Sequence, residues 1–214
     1  MHDGFPRLLA FKVTEDFGEI LMVNEGKNLN YWADKLQGIQ QRTIFGLAML
    51  NQVFKALRTL HELGLSYGDF KLDNICGRVN SKFDDSCPQF TIDNLTFNLI
   101  DLGMSTKFSP LGLNNDGKEF RGNLMYASTY QFSLKRPRRI DDIFSLLCVV
   151  YYLMKRTLPW INHFQNMSIQ NPHLDIYNQN SYMQLRHFYR GNYDKEFIKC
   201  SGVLSPVFMY VIEL

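Results

Sequence analysis

The pattern of apolar and polar positions begins with two short, largely apolar runs that are typical of β-strands. These runs are Leu8–Val13 and Glu19–Val23, and the turn-forming residues 15–18 separate them. The pattern therefore predicts a β-hairpin at the start of the chain. Residues 24–30 are mostly polar and include Gly26, so they are predicted to form a connector.

A helical period follows the connector. From about Thr43, residues recur at spacings of three and four that place them on one face of an α-helix. They are Leu47, Leu50, Phe54, Leu57 and His61. Gly64 is predicted to stop this helix after about 20 residues, because glycine readily adopts the positive φ that ends helices.

The second half of the chain contains further short strands and one strongly apolar helix. Strands are predicted at Ile75–Cys76, Phe90–Ile92 and Phe97–Ile100. Residues Asp141–Lys155 are apolar around the whole helical circumference, which predicts a helix in the protein interior. Pro159 is expected to end it.

Composition and charge exclude several classes of protein. The chain has 214 residues, of which 45% are hydrophobic and 21% charged, an ordinary globular composition for one or two domains. A net charge of +2 is too small to indicate nucleic acid or an anionic membrane as a partner. The basic cluster at 135–139 is better explained as a solvated loop. No apolar run reaches the roughly 18 residues that span a bilayer.

The four cysteines are scattered along the chain. The cysteines are Cys76, Cys87, Cys148 and Cys200. They form no C-x-x-C pair and have no histidine at the spacing that zinc sites use. Reduced thiols fit this arrangement best, which predicts a cytoplasmic or nuclear protein.

The candidate chemistry lies in two polar segments. Asp69, Lys71 and Asn74 form the first, and Asp101-Leu102-Gly103 follows an apolar strand. Phosphoryl transfer needs such a set: Asp101 and Asn74 can hold Mg²⁺ on nucleotide phosphates, Asp69 can accept a hydroxyl proton, and Lys71 can neutralise the transferred group. Taken singly, each of these residues is also common in turns.

The order of these residues favours the phosphoryl-transfer interpretation over ordinary turns. The pattern D-x-K-x-x-N followed by D-x-G resembles the catalytic and magnesium loops of eukaryotic protein kinases. Residues 19–26 resemble the last strand of a kinase small lobe with its hinge, and residues 122–128, 141–146 and 158–160 resemble segments of the casein kinase 1 group. Tyr67-Gly68-Asp69 departs from the usual H-R-D and is closer to the H-G-D of vaccinia-related kinases. The chain thus resembles the casein kinase 1 superfamily.

The resemblance implies an α+β, protein kinase-like fold made mostly of the helical large lobe. Residues 1–23 would be a remnant of the small lobe, with its last strands as a β-hairpin. Residues 24–30 would be the hinge, and residues 31–214 the large lobe, incomplete at its C-terminus.

The resemblance also assigns roles to the two polar segments. Asp69 would be the catalytic base and Lys71 the phosphate-neutralising lysine, while Asn74 and Asp101 would be the Mg²⁺ ligands. Asp142 would brace the backbone of the catalytic loop. ATP and Mg²⁺ are the implied cofactors, and the implied partner is a protein substrate.

Nucleotide-contacting residues follow from the same resemblance. Met22 would be the gatekeeper, and Asn24 and Glu25 would present backbone groups to the adenine edge. Cys76 and Ile100 would line the pocket below and behind the adenine.

Two kinase features are missing from these 214 residues: no G-x-G-x-x-G and no V-A-I-K occurs. The chain is therefore expected to be a kinase domain truncated at both ends, with a truncated gene model or a fragment favoured over a degenerate kinase. We expect it to be inactive by itself and to leave apolar surface exposed on its hairpin.

Other departures concern regulation and substrate. Gly68 replaces the arginine that gathers a phosphorylated activation loop, so control by that phosphorylation is not expected. Asn123 replaces a threonine near the catalytic aspartate, and Met125 replaces an arginine that binds acidic or phosphorylated substrates. Two functions stay open: a serine/threonine kinase of casein kinase 1 type, and a non-catalytic kinase-like binding module.

Overall fold

The computed structural model describes most of the first 161 residues, in the ranges 4–79, 94–108, 120–128, 130–133, 138–158 and 160–161. The chain divides into two compact units. The first unit comprises Met1–Thr59 and Leu72–Asp101, and the second comprises Leu60–Lys71 and Leu102–Leu214.

The predicted N-terminal hairpin is confirmed. Strand β1 (Leu8–Val13) pairs antiparallel with strand β2 (Gly18–Met22). The loop between them is closed by the Thr14 backbone N–H, which donates to the Phe17 carbonyl at 2.8 Å. Turn-forming residues between two apolar runs are thus sufficient to specify this element.

The hairpin exposes its apolar side chains, as expected. Phe11 and Ile20 face each other across the two strands, and they are 71% and 68% exposed. Other large apolar residues of the hairpin are also exposed: Leu8, Leu9, Val13, Leu21 and Met22. The first unit therefore carries an apolar surface of the kind that promotes association.

The predicted connector is wrong beyond Gly26. Residues Lys27–Asn28 form a short strand, β3, and helix α1 follows at Leu29–Lys35. The Asn28 side chain caps α1 by accepting from the Tyr31 backbone N–H at 3.3 Å. A polar residue that seemed to belong to a connector is thus a helix N-cap, which is a preferred position for asparagine.

Helix α2 spans Gly38–Glu62, so it begins earlier than the predicted Thr43. Gly64 follows its end with φ +78°, as predicted. The predicted apolar stripe is partly wrong, because Leu47 and Phe54 are each 43% exposed. Two residues of the stripe, Leu57 and His61, are buried as predicted, and the other buried apolar positions are Phe45, Met49, Val53, Ala56 and Leu60. This helix carries apolar residues on two faces, so spacing alone did not decide which face is buried.

The core of the first unit lies against a three-stranded antiparallel sheet, which has β3 at one edge and two further strands beside it. Strand β5 (Ile75–Val79) and strand β6 (Leu95–Leu99) confirm the strands predicted near Ile75 and Phe97. The Phe45 ring of α2 meets the Phe97 ring edge to face at 5.1 Å between centroids. The strand predicted at Phe90–Ile92 lies outside the described residues.

In the second unit, strand β4 (Leu65–Ser66) pairs with strand β7 (Thr106–Lys107), and helix α3 spans Arg139–Lys155. Most of α3 is buried, which confirms the predicted interior helix. It ends at Lys155, after which Arg156 adopts a left-handed conformation with φ 60°. Pro159, predicted to end the helix, lies outside the described residues.

Among the described residues, no helix has the length and apolarity to cross a membrane.

Candidate functional site

The loop after β4 holds the first candidate pair, within the second unit. Asp69 is buried at 6% exposure, and the Lys71 ammonium donates to its Oδ2 at 2.8 Å. The Lys71 side chain is 28% exposed. The structure therefore brings the predicted base and the predicted phosphate-neutralising lysine into direct contact.

Asp142 fixes the backbone of this loop. Its two carboxylate oxygens accept from the backbone N–H groups of Tyr67 and Gly68, each at 2.8 Å. The predicted brace is thus confirmed. Carboxylate bonds to backbone N–H groups are charge-assisted, so they hold the loop more firmly than neutral bonds would.

His61 also reaches this carboxylate, with its Nε2 at 2.8 Å from Oδ2 of Asp142. The sequence analysis counted His61 only as part of an apolar helical stripe. The sequence signal for this contact was that His61 is the one polar residue of that stripe. A buried polar group must find a partner, so the histidine marks the place where α2 meets another polar group.

Two glycines allow close backbone contact beside Asp69. Gly68 has φ +80° and Gly122 has φ +115°, conformations that side chains rarely adopt. A Cβ atom at Gly122 would lie 2.6 Å from the Gly68 carbonyl oxygen. The segment 120–128 thus packs directly against the backbone of the loop that holds Asp69, within the second unit.

The same segment is stabilised by its own polar contacts. The Asn123 Oδ1 atom accepts from the Met125 N–H at 2.9 Å, and the Met125 carbonyl accepts from the Trp160 indole at 2.8 Å. The Ser128 hydroxyl donates to Asp141 at the start of α3 at 2.7 Å. Asn123, which departs from the expected threonine, therefore acts here as a turn-forming residue.

The two predicted magnesium ligands belong to the first unit. Asn74 is buried and ends a short 3-10 helix, and its carbonyl accepts from the Ile100 N–H at 2.9 Å. Asp101 follows Ile100, is exposed and has φ 57°. The structure therefore places both residues at the same end of β5 and β6.

The donor set at this end fits Mg²⁺. Asn74 and Asp101 supply an amide and a carboxylate oxygen, and magnesium commonly takes one or two protein oxygens together with phosphates and water. Among the described residues, no group of three or more His, Cys, Asp or Glu side chains could hold a metal ion by itself.

The predicted nucleotide-contacting residues also lie in the first unit. Met22 ends β2 and is 45% exposed, and Asn24 accepts from the Gly26 N–H at 2.9 Å through its side chain. The Glu25 side chain is buried. Burial raises the pKa of the Cys76 thiol, and the nearby Glu25 carboxylate raises that pKa further.

Comparison with known proteins decides the family. Residues 9–199 match the protein kinase domain family. The chain belongs to that family.

Two known proteins are similar to parts of this domain. The domain is 28% identical over 116 residues to casein kinase 1-like protein HD16 of Oryza sativa subsp. japonica, a match that covers 51% of this chain and 15% of that protein. Its fold is similar to the structure of vaccinia related kinase 3, with 20% sequence identity and a TM-score of 0.60. That match covers 87% of this chain and 52% of the other.

The kinase domain therefore has the α+β fold that the sequence predicted. The chain spans about half the length of the solved structure and a smaller part of HD16. The roles of the individual site residues and the boundaries at residues 23 and 30 stay predictions.

Proposed function

We propose that this kinase domain transfers the γ-phosphate of ATP to serine or threonine hydroxyls of a protein substrate. The observation that carries the proposal is the buried Asp69, which is paired with Lys71 at 2.8 Å in a loop whose backbone is bonded to Asp142. A carboxylate held in this way has a fixed direction, as a group that receives a proton from a bound hydroxyl requires.

Asp69 would accept the proton of the attacking hydroxyl. Lys71 would hold the carboxylate in place and also present its ammonium to the transferred phosphoryl group. The lysine side chain is 28% exposed, so it keeps access to solvent and to a ligand. A binding module without chemistry would have no need for this pair at a buried position.

Asn74 and Asp101 would hold Mg²⁺, which would bridge the ATP phosphates and neutralise their charge. The described bond from the Ile100 N–H to the Asn74 carbonyl supports this assignment, because it keeps the ends of β5 and β6 in register. Asn24 and Glu25 would meet the adenine edge with backbone groups, while Cys76 and Ile100 would line the adenine pocket and Met22 would be its gatekeeper.

A phosphate-transfer assay tests the proposal. Because the 214 residues contain no glycine-rich loop and no V-A-I-K lysine, the assay uses the domain extended at its N-terminus with those two segments. Radiolabelled ATP, Mg²⁺ and matched peptides with serine, threonine or tyrosine as the only acceptor are incubated with it. We expect label on the serine and threonine peptides. No transfer to any peptide with any divalent metal would favour the binding-module function instead.

A further inference from the structure

The predicted hinge contains a buried carboxylate that its backbone role does not require. The Glu25 side chain is 1% exposed and lies over strands β5 and β6. Its Oε2 atom accepts from the Asn98 side-chain amide at 2.8 Å and lies 3.4 Å from Nη1 of Arg78. Asn98 itself is fully buried. A hinge residue is thus tied by its side chain to both strands of the sheet beneath it.

Few groups balance the negative charge of the Glu25 carboxylate. Among the described residues, no donor reaches Glu25 Oε1 or Asn98 Oδ1, although both atoms are buried. A buried carboxylate is costly unless an opposite charge and hydrogen bonds balance it. Among the described groups, the Arg78 guanidinium and the Asn98 amide N–H therefore carry most of the stabilisation of the Glu25 charge.

The backbone next to Glu25 fits closely on β5. Gly26 has φ +90°, and a Cβ atom there would overlap the Gly77 carbonyl oxygen. The Trp32 indole N–H lies 3.1 Å from both the Lys27 and the Gly77 carbonyl oxygens. The Trp32 indole N–H therefore reports on the position of the hinge backbone, because it contacts Lys27 of the predicted hinge and Gly77 of β5.

We propose that Glu25 is a positioning residue, whose side chain holds the backbone of residues 24–26 against β5 and β6 through Asn98 and Arg78. The inference rests on the proposed function for its consequence, since it is the hinge backbone that would meet the adenine edge. Arg78 then influences nucleotide binding without touching the nucleotide. Its loss would leave a buried charge, and movement of the hinge toward water would relieve it.

Hydrogen exchange in the complete chain tests this positioning directly. The chain has two tryptophans, so its two indole N–H signals separate in an NMR spectrum. Trp32 reports on the hinge, and Trp160, which donates to the Met125 carbonyl, serves as the reference. In Arg78→Met we expect the Trp32 indole and the Gly26 amide to exchange about tenfold faster, with Trp160 unchanged. Arg7→Met, at an exposed position of the same unit, is the matched control and should change neither.

A double variant separates positioning from simple packing. Glu25→Gln removes the buried charge while its amide oxygen can still accept from Asn98. In the double variant Glu25→Gln/Arg78→Met, exchange should therefore return to within about twofold of the wild-type rate. Exchange as fast as in Arg78→Met alone would contradict the proposal, as would unchanged Trp32 exchange in Arg78→Met. If both indoles exchange freely because Arg78→Met unfolds, the comparison is made with Arg78→Gln, under the same criteria.

Adenosine binding connects the hinge to the proposed function. Adenosine presents the base without phosphates, and saturation-transfer NMR detects binding in the millimolar range. We expect signals with the wild-type chain, their loss in Arg78→Met and their return in the double variant. If the wild type gives no adenosine signal while the exchange pattern holds, the assignment of the hinge backbone to the adenine edge fails and the positioning stands. If the exchange pattern is absent, the positioning fails whatever adenosine does.

Discussion

The Lys71 ammonium lies 2.8 Å from the buried Oδ2 of Asp69. These residues are two positions apart in a loop that is neither helix nor strand at that point. Such a loop needs an external support to hold them together, and Asp142 provides it through the backbone N–H groups of Tyr67 and Gly68. The geometry of the candidate base thus depends on a residue of helix α3.

Removing the Asp142 carboxylate should destabilise the fold. Asp142→Ala would leave the Tyr67 and Gly68 N–H groups and the His61 side chain buried without their acceptor. We expect the free energy of unfolding to fall by about 3 kcal/mol. Urea denaturation followed by circular dichroism measures this change. Asp16→Ala, at the exposed hairpin turn, is the control and should stay within about 0.5 kcal/mol of wild type. Equal stability of the two variants would contradict the bracing role.

Cys76 should react slowly with alkylating reagents at pH 8. Burial and the Glu25 carboxylate both disfavour the thiolate, so the pKa of the Cys76 thiol lies above its ordinary value. The thiolate is the reactive form, and its share at pH 8 is therefore reduced. Iodoacetamide labelling with mass spectrometry of the Cys76 peptide should show a rate that begins to rise only at a pH above that of an ordinary thiol. The same peptide in urea should follow the ordinary profile, and identical profiles in both states would contradict the account.

The elements that the sequence predicted well are those with a local cause. The hairpin follows from its turn residues, the end of α2 from Gly64, and helix α3 from its continuous apolar surface. Helix α1 was missed because it is only seven residues long and its cap, Asn28, lies in a polar stretch.

The residues of the candidate site could be predicted from the sequence, but their long-range contacts could not. The order of Asp69, Lys71, Asn74 and Asp101 indicated phosphoryl transfer, because those residue types are required by the chemistry itself. The contact between His61 and Asp142 joins positions 81 apart in sequence, and no local pattern specifies such a contact. The same holds for Glu25 and Asn98, 73 positions apart.

The exposed hairpin should cause the chain to associate. Phe11 and Ile20 are paired across the strands and exposed, so Phe11→Lys/Ile20→Glu replaces apolar surface with an opposite-charge pair. We expect this variant to shift the chain toward monomer in size-exclusion chromatography with light scattering, with little change in stability. The exchange Lys12→Glu/Glu19→Lys, at the neighbouring cross-strand pair, leaves the apolar surface intact and should not shift it. A wild-type chain that is monomeric at every concentration would contradict the prediction.

The chain as it stands should bind ATP with Mg²⁺ weakly or not at all. Kinases hold the nucleotide phosphates with a glycine-rich loop and the lysine of a V-A-I-K motif, and these 214 residues contain neither motif. Isothermal titration calorimetry should therefore show no binding in the micromolar range. Micromolar affinity that depends on magnesium would show that other residues of this chain hold the phosphates.

The central claim is that Asp69 acts on the hydroxyl while Asp101 acts through the metal. The most direct test compares Asp69→Asn with Asp101→Asn in the N-terminally extended domain, by measuring phosphate transfer to a serine peptide together with magnesium-dependent ATP affinity. We expect Asp69→Asn to lower transfer by about 10²- to 10⁴-fold with nearly unchanged ATP affinity, because a base does not hold the nucleotide. Asp101→Asn should lower both quantities, since it would remove a proposed magnesium ligand. Full transfer activity in both variants would contradict the account.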